Sequence, residues 1–303
     1  MPVPRLVVAM PAFNAEATIR QAVITTLRAM PRDSELVVLD DKSTDKTLTV
    51  LDTITDARLR VIANEHNLGG GTARQRLLVE SDSEFVAAMD ADDITFPWRF
   101  ALQLRALQSF DVVFGSVVRF NRGQLEGIHN FTSRVTQMRP SAPIALRPEE
   151  FPAALLFHCE VWQSSLTAKR SAFDNVGGYQ PLRYGQDWDL YLRMANSGAI
   201  MYRSAVPLIA YRASPLQVTR RSDYVDIFRS QVLRSSYAAL FNSRVHSMKI
   251  DMGMGCASVA EATIKAGLAG QLGTFRPANR LRYTRLLRSG KTLGAVALFQ
   301  SAS

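Results

Sequence analysis

The chain has 303 residues, of which 47% are hydrophobic and 21% charged, enough for one large α/β domain with an appendage. Its apolar runs fall short of the ~18 residues a bilayer span needs, Cys159 and Cys256 form no CxxC pair, and the first residues lack the pattern of a signal peptide, so a membrane span, a zinc module and a disulfide scaffold are excluded and a cytoplasmic protein is expected. The net charge of +9 is uneven: acids and bases cancel over residues 1–219, and residues 220–303, with 13 Lys/Arg against Asp223, Asp226, Asp251 and Glu261, carry the whole excess.

Leu6 to Met10 reads as a buried strand ending at Pro11-Ala12-Phe13-Asn14, with Asn14 as an expected helix N-cap. Ile19, Ala22, Val23, Thr26, Leu27 and Met30 then keep helical spacing. Leu36 to Leu39 is a second strand that runs into Asp40-Asp41, and a short helix carries Leu48, Leu51 and Ile54. Leu59 to Ile62 is a third strand. Asn67-Leu68-Gly69-Gly70-Gly71 is a flexible turn before a helix through Ala73, Leu77 and Leu78. Strand and helix alternate about every thirty residues, the pattern of βαβ units and a parallel sheet.

Phe85 to Met89 is the fourth strand, and it runs straight into Asp90-Ala91-Asp92-Asp93. Ligands of an open parallel sheet bind beyond the carboxyl ends of its strands. Three carboxylates there repel one another unless a cation or ligand hydroxyls share their charge. A divalent metal is the simplest such partner, and all-oxygen ligands favour magnesium or manganese. The same cluster also reads as a solvated acidic turn ahead of the helix opened by Pro97.

That helix carries Phe100, Leu104 and Leu107, and Val112-Val113-Phe114 follows as a strand. Residues 121–150 read as an irregular insertion, of a length more often functional than idle. Leu166-Thr167-Ala168 precedes Gly177-Gly178-Tyr179, and Gln186-Asp187-Trp188-Asp189 opens a helix. Ile200 to Tyr202 and Leu208 to Tyr211 are late strands, and from Ser222 onward the pattern is helical.

Met10 to Asn14, Val38 to Asp45, Asn67 to Arg74, Asp90 to Asp93, Gly177 to Tyr179 and Gln186-Asp187 together resemble, over residues 5–212, the family 2 glycosyltransferases in order and spacing. The resemblance implies an α/β GT-A-like fold with a mainly parallel central sheet flanked by helices and a helical C-terminal extension. It divides the chain into a catalytic domain over 1–219, with a nucleotide-sugar half over about 1–115 and an acceptor half over about 116–219, and a basic region over 220–303.

It also implies roles for residues. Pro11, Ala12 and Phe13 would line the nucleotide base, and Asp41 would accept a hydrogen bond from a pyrimidine imide. Asp40 would assist or merely support Asp41. Arg74 would lie near the base or diphosphate, or stand as an ordinary surface arginine. Asp90 and Ala91 would meet the ribose, and Asp92 would hold Mn2+ or Mg2+ across the phosphates, with Asp93 beside it. Asp187 would be the general base of an inverting transfer, or an acid placed at a helix N-terminus by the macrodipole.

The family commonly has Glu-Asp where this chain has Gln186-Asp187, which keeps the base and changes its neighbour. Its processive members carry Gln-x-x-Arg-Trp and membrane spans; Gln217 to Arg221 lacks the Trp. A single transfer from a nucleotide-sugar, of UDP type, to a glycan or lipid-linked acceptor is therefore expected. Among His129, His158 and His246, only His158 merits testing as a metal ligand.

A nicotinamide dehydrogenase would need G-x-G-x-x-G where the first turn has Pro-Ala-Phe-Asn. A sugar-nucleotidyltransferase would need a Gly- and Arg-rich first loop. An inactive sugar-nucleotide binder of the same fold is the non-enzyme alternative, and a nucleic-acid partner is not expected, because aromatics are sparse among the C-terminal bases. Residues 276–303 contain no acid, and Tyr283, Leu286 and Leu287 gather opposite Arg280, Arg282, Arg285, Arg288 and Lys291. Such a helix either lies on an anionic membrane at the inner face or packs on protein, where Leu293, Val296, Leu298 and Phe299 could complete a homo-oligomer contact.

Overall fold

The computed structural model of the protein describes residues 3–120, 139–213, 227, 230–245 and 257–288. The first half follows the alternation of the sequence: β1 (Leu6–Ala12), α1 (Ile19–Ala29), β2 (Ser34–Asp40), α2 (Thr47–Asp52), β3 (Leu59–Ala63), α3 (Gly70–Val79) and β4 (Phe85–Ala88). Leu6, Val7, Val8, Leu36, Val37 and Val38 are fully buried, which a strand achieves only when both sheet faces are covered. The cover includes α1, which buries Ile19, Ala22, Val23, Thr26 and Leu27. β1 pairs parallel with β2 on one side and β4 on the other, and β2 with β3. The strand order therefore reverses at β1, and a crevice opens beyond the carboxyl ends of β1, β2 and β4.

β5 (Ile94–Thr95), α4 (Arg99–Ala106), β6 (Val112–Phe120), α5 (Phe151–Phe157), β7 (Thr167–Lys169), α6 (Arg170–Asp174), α7 (Gln186–Asn196) and β8 (Met201–Arg212) complete an eight-stranded sheet. Its order is β3-β2-β1-β4-β7-β6-β8-β5. The sheet is mixed: β7 runs antiparallel to both β4 and β6, and β5 antiparallel to β8.

Several local expectations change. The two late strands are one, because β8 runs through Ser204-Ala205-Val206 with register shifts against Phe114 and Ser116 of β6. The break between the two apolar runs is an irregularity within one ladder. Asn14 does not cap α1, which begins at Ile19; its φ is 49° and its Oδ1 accepts the Thr44 N–H at 2.8 Å, so it ties the β1 and β2 ends together. Within 121–150, residues 139–150 are described, and Leu146 exchanges both backbone hydrogen bonds with Arg203 at 3.0 Å.

The C-terminal helices are α8 (Gln231–Arg244), α9 (Ala257–Gln271) and α10 (Pro277–Arg288). Leu233, Tyr237 and Phe241 of α8, Leu268 of α9 and Tyr283 of α10 share a core cluster with Phe157 and Tyr191. On α10, Tyr283 is buried and Leu286 and Leu287 pack against that cluster. Arg280, Arg285 and Arg288 are exposed. Lys291 and the apolar residues after it, His129, His246, Gln217 to Arg221 and the 219/220 boundary lie outside the described residues. No helix of the described residues is long and apolar enough to cross a membrane.

Glu150, fully buried, is the anchor of α10. Its carboxylate accepts the Arg276 N–H at 2.8 Å, the Arg147 N–H at 3.1 Å and the Asn279 amide at 3.1 Å, and it pairs with the Arg276 guanidinium at 3.3 Å. Burial pushes its pKa up, but these donors outweigh burial and hold the group below the usual glutamate range. A carboxyl depressed in the folded state adds stability above its unfolded pKa and loses it as pH falls through the folded one. Docking of α10 is thus expected to weaken below about pH 4.5. Glu150→Gln should lower stability by about 1–3 kcal/mol at neutral pH and flatten that acid dependence, which hydrogen exchange of α10 across pH would read. An unchanged profile in the variant would reject the anchor role.

Candidate functional site

The acids after β4 are held from three distant parts of the chain. Arg74 Nη2 on α3 donates to Asp90 Oδ1 at 2.5 Å. At the end of β8, Arg212 gives its N–H to Asp93 Oδ1 at 2.9 Å and its Nε–H to the Asp92 carbonyl at 2.7 Å. Ser164 Oγ sits 2.7 Å from Asp90 Oδ2 and 2.6 Å from Asp93 Oδ2. One hydroxyl carries one proton, so Ser164 serves one of these two carboxylates at a time and the pair crowds like charge.

The electrostatics agree. Burial and the charges of Asp92 and Asp90 push the Asp93 carboxyl well up. Burial also opposes ionisation of Asp90, but the Arg74 guanidinium beside it holds its carboxyl down. Asp92 is pushed up to about 6 by burial and by Asp90, against the pull of Arg212. Beneath the cluster, fully buried Arg99 donates to the Ala88 carbonyl at 2.8 Å and the Leu166 carbonyl at 3.1 Å. Its charge, which burial pulls down to about 9 while Asp93 and Asp90 hold it up, offsets part of the acids.

Among the described residues no three His, Cys, Asp or Glu side chains converge on a metal position. A magnesium or manganese site usually takes one or two protein carboxylates and completes itself with substrate phosphates. Asp92 suits that use: it is raised among like charges and takes no hydrogen bond from another described side chain. His158 is exposed and joins no such cluster.

Pro11 and Ala12 end β1 and Phe13 follows, with Ala12 buried and Phe13 52% exposed, open to stack on a planar partner. Asp41 Oδ1 accepts from Asn64 Nδ2 at 2.6 Å and the Leu68 N–H at 2.8 Å, and Oδ2 from the Gly69 N–H at 2.9 Å. Asp41 therefore pins the turn before α3, and of about four acceptor positions on a carboxylate one is left. Asp40 Oδ2 accepts the Ser43 N–H at 3.1 Å, while its buried Oδ1 has no partner. Gly71 lets α3 approach: a Cβ there would stand 2.5 Å from the Gln180 carbonyl. That approach brings Arg74 toward Asp90. Its Nε and Nη1 are buried and unpartnered.

Asp187 lies in the first turn of α7, after Gly185, whose φ of 74° sets the helix entry. Burial pushes its carboxyl up, opposed by the Trp188 N–H at 2.8 Å and by Arg74, and reinforced by Asp90. Gln186 beside it has a buried, unpartnered Oε1. Tyr191 donates to Gln163 Oε1, and Gln163 Nε2 donates to the Tyr179 hydroxyl at 2.5 Å, so Tyr179 of the Gly-Gly-Tyr segment joins a polar wall behind Asp187. Asp90, Arg74 and Asp187 thus fall in one electrostatic neighbourhood.

Ser164, Arg212, Arg99 and Gln163 have no motif in the sequence; the site partners named above lie 11 to 120 positions from them. Only the apolar run into Ala168 hints that the segment before it ends beside β4.

The sequence model of "Glycosyl transferase family 2" matches residues 7–156. Over 197 residues the chain is 31% identical to the succinoglycan biosynthesis protein ExoU of Rhizobium meliloti (strain 1021), covering 62% of this chain and 56% of that protein. Over 120 residues it is 28% identical to the UDP-Glc:alpha-D-GlcNAc-diphosphoundecaprenol beta-1,3-glucosyltransferase WfgD of Escherichia coli, covering 39% and 47%. The chain spans about half the length of these two relatives. Among solved structures, S. aureus TarS 1-349 in complex with UDP-GlcNAc has the same fold, with a TM-score of 0.60 at 14% identity over 98% of this chain and 89% of that one. Glucosyl-3-phosphoglycerate synthase from Mycobacterium tuberculosis, solved with Mn2+, UDP and glucosyl-3-phosphoglycerate, gives 0.50 at 23% identity over 84% and 83%.

Proposed function

Since the chain belongs to the family 2 glycosyl transferases, we propose that it moves one sugar from a UDP-sugar to the hydroxyl of a lipid-linked or polyanionic glycan, with inversion and with a divalent metal. The observation that supports this most is Arg74: two buried N–H groups without partners, beside Asp90 and within the field of Asp187, lack only an anion. A nucleoside diphosphate supplies one. Phe13 and Pro11 then face the base, the remaining acceptor position of Asp41 takes the uracil imide, and Asp90 takes the ribose. Asp40, Ala12 and Ala91 shape the same edge.

Asp187 removes the proton of the acceptor hydroxyl as its oxygen bonds to the anomeric carbon. The bond from that carbon to the diphosphate oxygen breaks, its electron pair leaving with the diphosphate. Attack and departure on opposite faces invert the configuration. Arg74 takes part of the growing negative charge through donors already aimed at it. A Mn2+ or Mg2+ ion, held by Asp92, would supply further charge neutralisation at the diphosphate. The lack of Trp in Gln217 to Arg221 favours one transfer per acceptor.

With manganese, consumption of UDP-sugars is expected from a panel of nucleotide sugars, and UDP should stabilise the protein in thermal unfolding more than GDP or ADP. Greater stabilisation by GDP or ADP would overturn the uracil assignment, and turnover of no nucleotide sugar with any acceptor would leave only a binding role.

A further inference from the structure

Behind Ser164 lies a cavity of about 440 Å³ that the chemistry above does not use. It is bounded by Arg119 of β6, Ser141, the segment from His158 to Trp162, and Arg282 of α10. The volume is that of a small-molecule site.

Two routes connect it to the reacting groups. Trp162 is two residues before Ser164, which bonds Asp90 and Asp93. On the other side, the Arg119 guanidinium lies 5.9 Å from the centre of the Tyr211 ring, and that phenol is raised by burial and by Asp93, Asp90 and Asp92. Asp187 in turn acts on the Cys159 thiol of the cavity wall, which burial and that carboxylate push well up. Trp162 of its lining packs in one cluster with Ala91 and Tyr211, so the cavity lies beside the segment that carries the metal-side acids.

Its charge is positive. Among the described residues that line it Glu160 is the one acid, and it is already engaged: Arg282 Nη2 donates to Oε1 at 3.0 Å, the Tyr283 hydroxyl to Oε2 at 3.1 Å, and buried Arg203 stands 3.9 Å away. Arg119 and Arg282, which also line the cavity, outnumber it. Glu160 and Tyr283 also fix the direction of the Arg282 side chain, which is 35% exposed and so keeps part of its fork on the cavity. Arginine is suited to carboxylate and phosphate because its planar fork matches two oxygens at once.

We propose that this cavity is an acceptor subsite for an anionic group, phosphate or carboxylate, carried near the hydroxyl that is glycosylated, with Arg119 and Arg282 as its recognition residues. The inference rests on the reading of the site as that of a sugar transferase, with Asp187 facing the acceptor. It also gives α10 a task besides packing, because the helix anchored on Glu150 brings Arg282 to the wall.

The test is calorimetry on the full chain with UDP and manganese saturating, so that the nucleotide site is filled. Pyrophosphate, α-glucose 1-phosphate, a short polyprenyl phosphate in detergent and glucuronate serve as probes. At least one anion should bind the wild type, and Arg119→Gln and Arg282→Gln should each weaken it at least ~10-fold, the loss expected of one charge-assisted hydrogen bond. UDP affinity should not change. Preference for the polyprenyl phosphate would assign a lipid-linked source, for glucose 1-phosphate a soluble phosphorylated one, and for glucuronate an acidic glycan. Normal UDP binding with no anion binding, or anion binding indifferent to the exposed Arg119→Gln, would overturn the subsite alone. Failure of UDP to bind the wild type would remove the transferase reading and the subsite with it.

Discussion

Asp187→Asn should lower turnover by ~10²–10⁴-fold, the usual range for loss of a general base, and leave UDP affinity nearly unchanged. The amide keeps the shape of the side chain and its hydrogen bond from the Trp188 N–H, so the fold at the start of α7 survives. What it loses is the ability to take a proton. Burial raises the Asp187 carboxyl and Asp90 adds to this, against the Trp188 N–H and Arg74. A base with a raised pKa is stronger at neutral pH. In the ionised form the group works, so turnover should fall as pH drops through that raised value, and this acid limb should lie above the ordinary aspartate range. The variant should lack it. Calorimetry with UDP and a kcat profile against pH separate the possibilities: a large loss of UDP affinity in Asp187→Asn would make the residue a ligand of the nucleotide-sugar and not the base.

Asp92→Asn should cost transfer in saturating manganese at least ~10²-fold, the scale set by removing one preorganised charge-stabilising contact. It should also erase the manganese-dependent part of UDP affinity, a readout that does not depend on turnover. The wild type should show that part growing as pH rises through about 6, the value to which burial and Asp90 push Asp92, because cation and proton compete for one carboxylate. Stability should move the other way. An acid raised by the fold is easier to ionise in the unfolded chain, so it destabilises the protein in full above its folded pKa, and that cost shrinks as pH falls from there and is gone below the unfolded one. Asp92→Asn should therefore raise the melting temperature of the metal-free protein at neutral pH, while removing activity. A variant that binds UDP with full manganese dependence would exclude Asp92 as the cation's carboxylate.

The sequence by itself determined the elements whose signal is local. Buried strands announce themselves as runs such as Leu6 to Met10 and Phe85 to Met89, because both their faces must be apolar. Acids directly after such runs then mark the carboxyl edge of the sheet, and Gly69 to Gly71 and Gln186-Asp187 mark helix starts that can face it. These local signals marked the acids; that Phe13, Asp41, Arg74, Asp90, Asp92 and Asp187 form one candidate site came from the resemblance of the ordered motifs to a known family.

Only the tertiary structure decided what joins these pieces, because pairing between distant segments leaves no period in the chain. The antiparallel β7 between β4 and β6, and the run of β8 through Ser204-Ala205-Val206, depend on which strands find each other. Asn14, a helix cap by its position, instead spans to Thr44 because β1 and β2 end side by side. Ser164 came to reach both Asp90 and Asp93 by folding back across more than seventy residues. The basic helix that read equally as a membrane or a packing element has Tyr283 in the core and Arg276 on Glu150. Its periodicity fixed two faces; which of them met protein depended on a carboxylate 126 residues away.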